Sequence, residues 1–273
     1  MTESIPVGTG TLAVPGANLY YELRGTGPLI VLAGSPMTAA PFAPLAETLA
    51  TDHTVLTTDP RGHGGTVLDD PAQDSTPELR GDDLARLIVH IDRGPAIAFG
   101  SSGGASSVLA LVQENPDLVT TAVAHEPPLV ELLDDRAGRI AAVEDILATY
   151  DAGDTLAAGR KFMAFTEIPV SEEMIDQIYG PGRDPAQLAE EAYFFRHEML
   201  GTTHFLPNIE ALRNVPTRLV IGIGETSAGQ LCDRASRALA AGLGIEPALF
   251  PGGHGGFMED AEAFAKRLRA VLS

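Results

Sequence analysis

An α/β fold, with a mostly parallel central sheet and helices on both faces, is predicted by three features of this 273-residue chain. Short apolar runs such as Leu29-Ile30-Val31-Leu32-Ala33 read as strands buried on both faces. Such runs alternate with helix-length segments as far as residue 128 and again from 215, the pattern of a parallel sheet. Between them, residues 129–214 lose the alternation and offer successive helical candidates with no convincing strand.

Residues 10–15 and 18–23 read as two strands meeting at a Pro15-Gly16 turn. After the Leu29 run comes a helical segment from about Pro41 to Ala50. The strand His53 to Thr58 follows and ends at Asp59-Pro60-Arg61-Gly62, a turn by composition. Leu79, Leu84, Leu87, Ile88 and Ile91 mark the apolar face of a helix over 76–91. Ala96-Ile97-Ala98-Phe99 is a strand, Gly100-Ser101-Ser102-Gly103-Gly104 a tight turn, and Ala105 to Glu114 a helix closed by Asn115-Pro116. Val119 to Ala124 is the next strand, stopped by His125-Glu126-Pro127-Pro128. Helices are then expected around 130–150, 153–165, 171–179 and 185–199. The alternation resumes with a strand at Arg218 to Ile223, a helix over 228–242, a strand at Pro247 to Phe250 and a helix over 257–272. The organisation expected is a core of residues 1–128 and 215–273, with 129–214 inserted over the strand ends where a ligand would bind.

Asp and Glu outnumber Lys and Arg by 37 to 18, a net charge of −19 that repels nucleic acid and anionic membranes, so neither is an expected partner. Cys232 stands alone, which rules out an intrachain disulfide and a Cys-rich metal site. No His/Asp/Glu cluster has ligand spacing either, so no metal or other cofactor is expected. The N-terminal run MTESIPVGTG lacks a basic stretch followed by an apolar one, and no apolar run is long enough to span a bilayer. A cytoplasmic monomer or homodimer is expected.

The turn at residues 100–104 matches G-x-S-x-G, the nucleophile elbow, here following a predicted strand and opening a predicted helix. That motif presents a serine on a sharp strand-to-helix turn, with glycines where neighbouring chain passes close by. Ser102 is the candidate nucleophile; centring the motif on Ser101 would require glycine at Phe99. A serine hydroxyl needs a base. Of the seven histidines, His254 lies in Pro251-Gly252-Gly253-His254-Gly255-Gly256, after the last strand, where flanking glycines let an imidazole project. His53 and His90 read as structural or solvated, His63 as a residue that could line the pocket, and His197 and His204 as substrate contacts from the insertion.

The residue that orients the histidine has two candidates. Glu126 ends a core strand before two prolines, and Glu225 follows the strand at 218–223, 29 residues before His254 (254 − 225). The local reading favours Glu126, since Glu225 also suits the exposed start of a helix, and both stay open on the residues alone. Oxyanion donors are expected from the backbone of Gly103 and of the Gly34-Ser35-Pro36-Met37 loop, where Ser35 is preferred because Pro36 has no N–H. Asp59 and Arg61 read as braces for the loop at their strand end. Gly34, Pro36, His125, Pro127, Phe162, Phe194 and His197 are the expected pocket residues.

Three stretches, Phe99 to Ser106, His125-Glu126-Pro127-Pro128 and Pro251 to Phe257, resemble α/β-hydrolases of actinobacterial type and the fungal zearalenone lactonases. The resemblance covers residues 18–128 and 215–273, and the insertion only weakly. It implies the α/β-hydrolase fold with 129–214 as a helical lid (cap), and places the acid on Glu126. It also implies cofactor-free hydrolysis of a macrocyclic lactone through an acyl-enzyme. Those lactonases present a tryptophan from the lid; this chain has none and offers Phe162, Met163, Phe165, Tyr193, Phe194 and Phe195 instead. The activity expected is therefore that of a serine hydrolase acting on a small apolar ester or lactone, zearalenone being one candidate. The competing readings are a non-hydrolytic enzyme of the same fold, cleaving C–C bonds or dehydrating, and a receptor with a vestigial triad. Epoxide and haloalkane hydrolases use an aspartate where this chain has Ser102.

Overall fold

The computed structural model describes residues 5–273; residues 1–4, where the expected core range and the N-terminal run begin, lie outside the described residues. The chain opens with an antiparallel hairpin of β1 (Val7–Val14) and β2 (Ala17–Arg24), turned at Pro15-Gly16 with Gly16 at φ 80°. β3 (Leu29–Ala33), α1 (Ala43–Leu49) and β4 (Thr54–Thr58) follow, then β5 (Val67–Leu68), a two-residue strand on β2 that the sequence does not announce. α2 (Pro77–Ile91), β6 (Ala96–Ser101), α3 (Gly103–Glu114) and β7 (Val119–His125) complete the first alternation.

The segment 129–214 holds α4 (Arg136–Asp151), α5 (Thr155–Thr166), α6 (Glu172–Tyr179), α7 (Pro185–Tyr193), α8 (Met199–Thr203) and the unforeseen α9 (Ile209–Asn214). The helix expected over 185–199 is interrupted, because Phe194–Glu198 form a π-helical turn between α7 and α8. β8 (Arg218–Gly224), α10 (Leu231–Leu243), β9 (Ala248–Phe250), α11 (Gly256–Glu259) and α12 (Ala261–Leu272) close the chain. The single helix expected over 257–272 is two helices. Asp260 leaves helical geometry at φ −144° and its carboxylate caps α12, accepting from Ala263 N–H at 2.9 Å.

The sheet runs β1-β2-β4-β3-β6-β7-β8-β9, antiparallel through β2 and β4 and parallel from there on, as predicted. Alternate side chains of β3 serve two cores. Leu29, Val31 and Ala33 pack with Leu87, Val108 and Leu109 of α2 and α3, whereas Ile30 and Leu32 pack with Phe42, Leu45 and Leu268 on the other face. Parallel strands end along one edge, so the loops after β3, β6, β7, β8 and β9 converge there, and the helical insertion departs from the same edge after β7. No helix among the described residues is long and apolar enough to cross a membrane.

α3 sits hard against the end of β3: a Cβ on Gly104 would lie 2.1 Å from the carbonyl oxygen of Ala33. Gly104→Ala must push the helix away from the strand, an overpacking cost of about 1–3 kcal/mol. A lowered urea midpoint is the expected result; an unchanged midpoint would show that this contact yields freely.

Candidate active site

The turn between β6 and α3 is built around an unusual backbone. Ser102 has φ 56° and ψ −126°, a region that costs an L-residue about 1–3 kcal/mol and persists only where surroundings impose it. Its N–H donates to the His125 carbonyl at 3.0 Å, and its own carbonyl accepts from Ala105 N–H at 2.9 Å. Gly100 makes room, since a Cβ there would lie 2.3 Å from Gly104 O. Ser102 thus stands at the N-terminus of α3 and lines a cavity at the sheet edge.

Glu126 follows β7 in left-handed conformation (φ 52°) with 0% exposure. One carboxylate oxygen accepts from Gly224 N–H at 2.8 Å, and the other lies 2.6 Å from His254 Nδ1. Burial alone would raise the Glu126 carboxyl. The hydrogen bond from His254 and the attraction of the His125 and His254 imidazoles outweigh it and hold the group at about 2, so it is charged. With Nδ1–H engaged, the neutral imidazole keeps Nε2 free to accept a proton. Glu225, the alternative acid, is exposed, and the structure does not bring it to His254; its N–H closes the loop onto Phe250 O at 2.9 Å.

Ser35 and Gly103 are neighbours, for a Cβ on Gly103 would lie 2.6 Å from Ser35 O. Neither N–H is engaged in a hydrogen bond among the described residues. The Ser35 hydroxyl donates to Glu198, whose second oxygen lies 2.6 Å from His63 Nε2. Arg80 stands 4.0 Å from the same carboxylate. Burial opposes ionisation of Glu198, but the bond to His63, the attraction of His63 and Arg80 and the Ser35 hydroxyl together keep its carboxyl below the usual range. Sequence reasoning missed Glu198 and Arg80. Glu198 does share the inward face of its helical segment with Phe195 and Thr202, a spacing that could have flagged it. Asp59 and Arg61 brace their loop as expected. Asp59 accepts from Ala39 and Gly65 N–H at 2.8 Å each, and Arg61 clamps Asp83 at 2.7 and 2.8 Å.

The cavity measures about 620 Å³. Of the expected pocket residues, Pro36, Phe162 and Phe194 line it, together with His63, Met163 and Cys232, whose thiol burial pushes up. Four expectations are corrected. Gly34 lies behind the loop, packed on Met37 and Phe42. Pro127 is buried, and it is Pro128, after the chain reverses at Glu126, that reaches the cavity. His197 takes the outer side of the π turn, 3.0 Å from Asp74 and facing a separate groove. His125 has 0% exposure and sits among Phe99, Phe250 and Phe264, with Nε2 unpartnered. His204 is also absent from the cavity lining; its ring bonds Leu200 O at 2.9 Å. Among the described residues no three His, Cys, Asp or Glu side chains converge to hold a metal.

The sequence profile of the Alpha/beta hydrolase family matches residues 29–267. An uncharacterized hydrolase, YraK, of Bacillus subtilis is 31% identical over 97% of this chain and 96% of its own. A 2-(acetamidomethylene)succinate hydrolase of Mesorhizobium japonicum is 29% identical over 77% of this chain and 74% of its own. A zearalenone hydrolase of Bionectria ochroleuca is 26% identical over 94% of both chains.

Burial lowers His125 to about 4 from an ordinary value of 6.5. The unfolded chain therefore binds a proton first: the stability held above pH 6.5 is lost as pH falls toward 4, on the order of 3 kcal/mol. His125→Phe should flatten that part of the urea-stability profile; an unchanged slope would place the proton uptake on another group.

Proposed function

The chain belongs to the alpha/beta hydrolase family, and from that premise we propose that it is a cofactor-independent serine hydrolase cleaving a neutral carboxylic ester or lactone through an acyl-enzyme. The observation that carries this reading is the buried Glu126 carboxylate 2.6 Å from His254, beside a serine held in strained backbone on the wall of the same cavity.

In this reading Ser102 Oγ attacks the carbonyl carbon and His254 Nε2 takes the hydroxyl proton. Glu126 fixes the imidazole's tautomer and stabilises its charged form. The developing oxyanion accepts from Ser35 and Gly103 N–H, each worth about 100- to 1000-fold in rate for donors of this kind. His254 then protonates the departing alkoxide. Water, activated by the same base, attacks the acyl-enzyme and frees Ser102.

Charge in the cavity bears on the substrate. Arg183, the one Lys or Arg in the lining among the described residues, is paired with Glu191, and Glu190 adds a further carboxylate. Nothing there is left to neutralise an anionic substrate, such as the succinate in the name of the Mesorhizobium relative. Phe162, Met163, Phe165, Ile168 and Phe194 suit an apolar neutral molecule instead, and a zearalenone-type macrolactone is the specific candidate.

Wild-type protein should hydrolyse p-nitrophenyl butyrate and zearalenone, and turn over the mono-p-nitrophenyl ester of succinate more slowly than the butyrate. Ser102→Ala should abolish turnover; retained turnover would remove Ser102 as nucleophile. Glu126→Gln should lose on the order of 10³–10⁴ in kcat while Glu225→Gln stays near wild type. The reverse order would move the acid to Glu225.

A further inference from the structure

We propose that Glu198, carried by the helical insertion, is a positioning residue for the oxyanion hole. With Arg80 it ties down both backbone donors, so that the insertion completes the hole as well as roofing it. This role rests on the serine-hydrolase reading above.

The π turn at Phe194–Glu198 sets the side-chain directions here. Glu198 has φ −125° and ψ −47°, outside regular helical geometry, and the turn presents the carbonyl oxygen of His197. That oxygen accepts from Ser75 N–H at 2.8 Å, which pins the insertion to the loop before α2. The same register turns the Glu198 side chain fully inward, 1% exposed. There it accepts the Ser35 hydroxyl, committing the side chain of the residue whose N–H would serve the oxyanion.

Arg80 carries the tie to the second donor. Its Nη1 donates to Ser75 O at 2.7 Å and Ser75 Oγ at 3.0 Å, and its Nη2 to Thr202 Oγ1 on α8 at 2.9 Å. Its Nε donates to Ser107 Oγ at 2.9 Å, and Ser107 donates in turn to the Gly103 carbonyl at 3.1 Å. One buried network thus reaches Ser35 on one side and the first turn of α3 on the other. The pairing also answers an electrostatic problem. An unpaired carboxylate beside the hole would oppose a developing oxyanion, whereas Glu198 is met by Arg80 and His63.

A merely structural ion pair would lower stability and leave the chemical step alone, which a double-mutant cycle separates. Full-length wild type, Ser35→Ala, Glu198→Ala and the double variant would be compared. The readouts are kcat and KM on p-nitrophenyl butyrate, the rate at which a fluorophosphonate labels Ser102, and thermal melts. Each single variant should lose about 10- to 100-fold in kcat and labelling rate, with KM within about twofold. The double variant should fall no lower than the worse single one. Glu198→Gln keeps an oxygen for the Ser35 hydroxyl and should recover most of the loss. Losses that multiply, or wild-type kcat in both singles, overturn the role. If Glu198→Ala does not fold, Ser35→Ala decides: kcat within about twofold of wild type overturns the role. Wild-type protein in which Ser102 is not labelled would sink the serine-hydrolase reading, and this role with it. Normal wild-type labelling beside unaffected variants sinks this role alone.

Discussion

A carboxylate removed from water must find all its partners within the protein, at a penalty of several kcal/mol when it does not. Glu126 finds two, and they come from different parts of the chain: Gly224 at the end of β8 and His254 in the loop after β9. β7 and β8 pair with Ala124 opposite Ile221 and His125 opposite Gly222, and that register delivers the Gly224 N–H to the carboxylate. A one-residue slip would strand the charge and turn every side chain of β8 to the wrong face. The same strand end packs Gly224 against Gly253, where a Cβ on Gly224 would lie 2.7 Å from the Gly253 backbone. Fold and site therefore share one constraint.

What could be read from the sequence follows from where its signals are local. Strand and helix periods, the glycines of residues 100–104 and the glycine-rich loop around His254 are all encoded within a few residues, and the sheet and the strained Ser102 turn are found where those patterns place them. Glu126 was legible because two prolines after an apolar run leave a carboxylate little reason to be there except a partner. Arg80 carries no such mark, and Glu198 only a helical spacing shared with Phe195 and Thr202. Each is an ordinary charged residue of a helical stretch, and only tertiary packing places them within 4.0 Å of one another. The histidines show the same limit: His63 and His197 both occur in polar stretches, yet one lines the cavity and the other faces Asp74 outside. Phase errors account for Gly34 and Pro127, each one position away from a residue that does line the cavity.

Electrostatics divide the molecule. The sequence carries a net charge of −19, while three buried charge pairs surround the site: Arg61 with Asp83, Arg80 with Glu198, Arg183 with Glu191. Pairing keeps the interior close to neutral, so the low-dielectric surroundings of Ser102 are set by Glu126, the imidazoles and backbone dipoles with little imposed by the acidic exterior. Beneath them, Phe99, Phe250, Phe257 and Phe264 interlock around His125 and give the strand ends a stiff support.

The cavity's floor and its walls come from different stretches of the chain. Loops at the sheet edge supply Ser35, Ser102 and His254, whereas α5 and the π turn supply Phe162, Met163, Phe165 and Phe194. Wall side chains on these helices can be exchanged without altering the backbone that strains Ser102 or the register that seats Glu126. A library confined to the wall positions would thus vary what the cavity admits while leaving its sheet-edge floor in place.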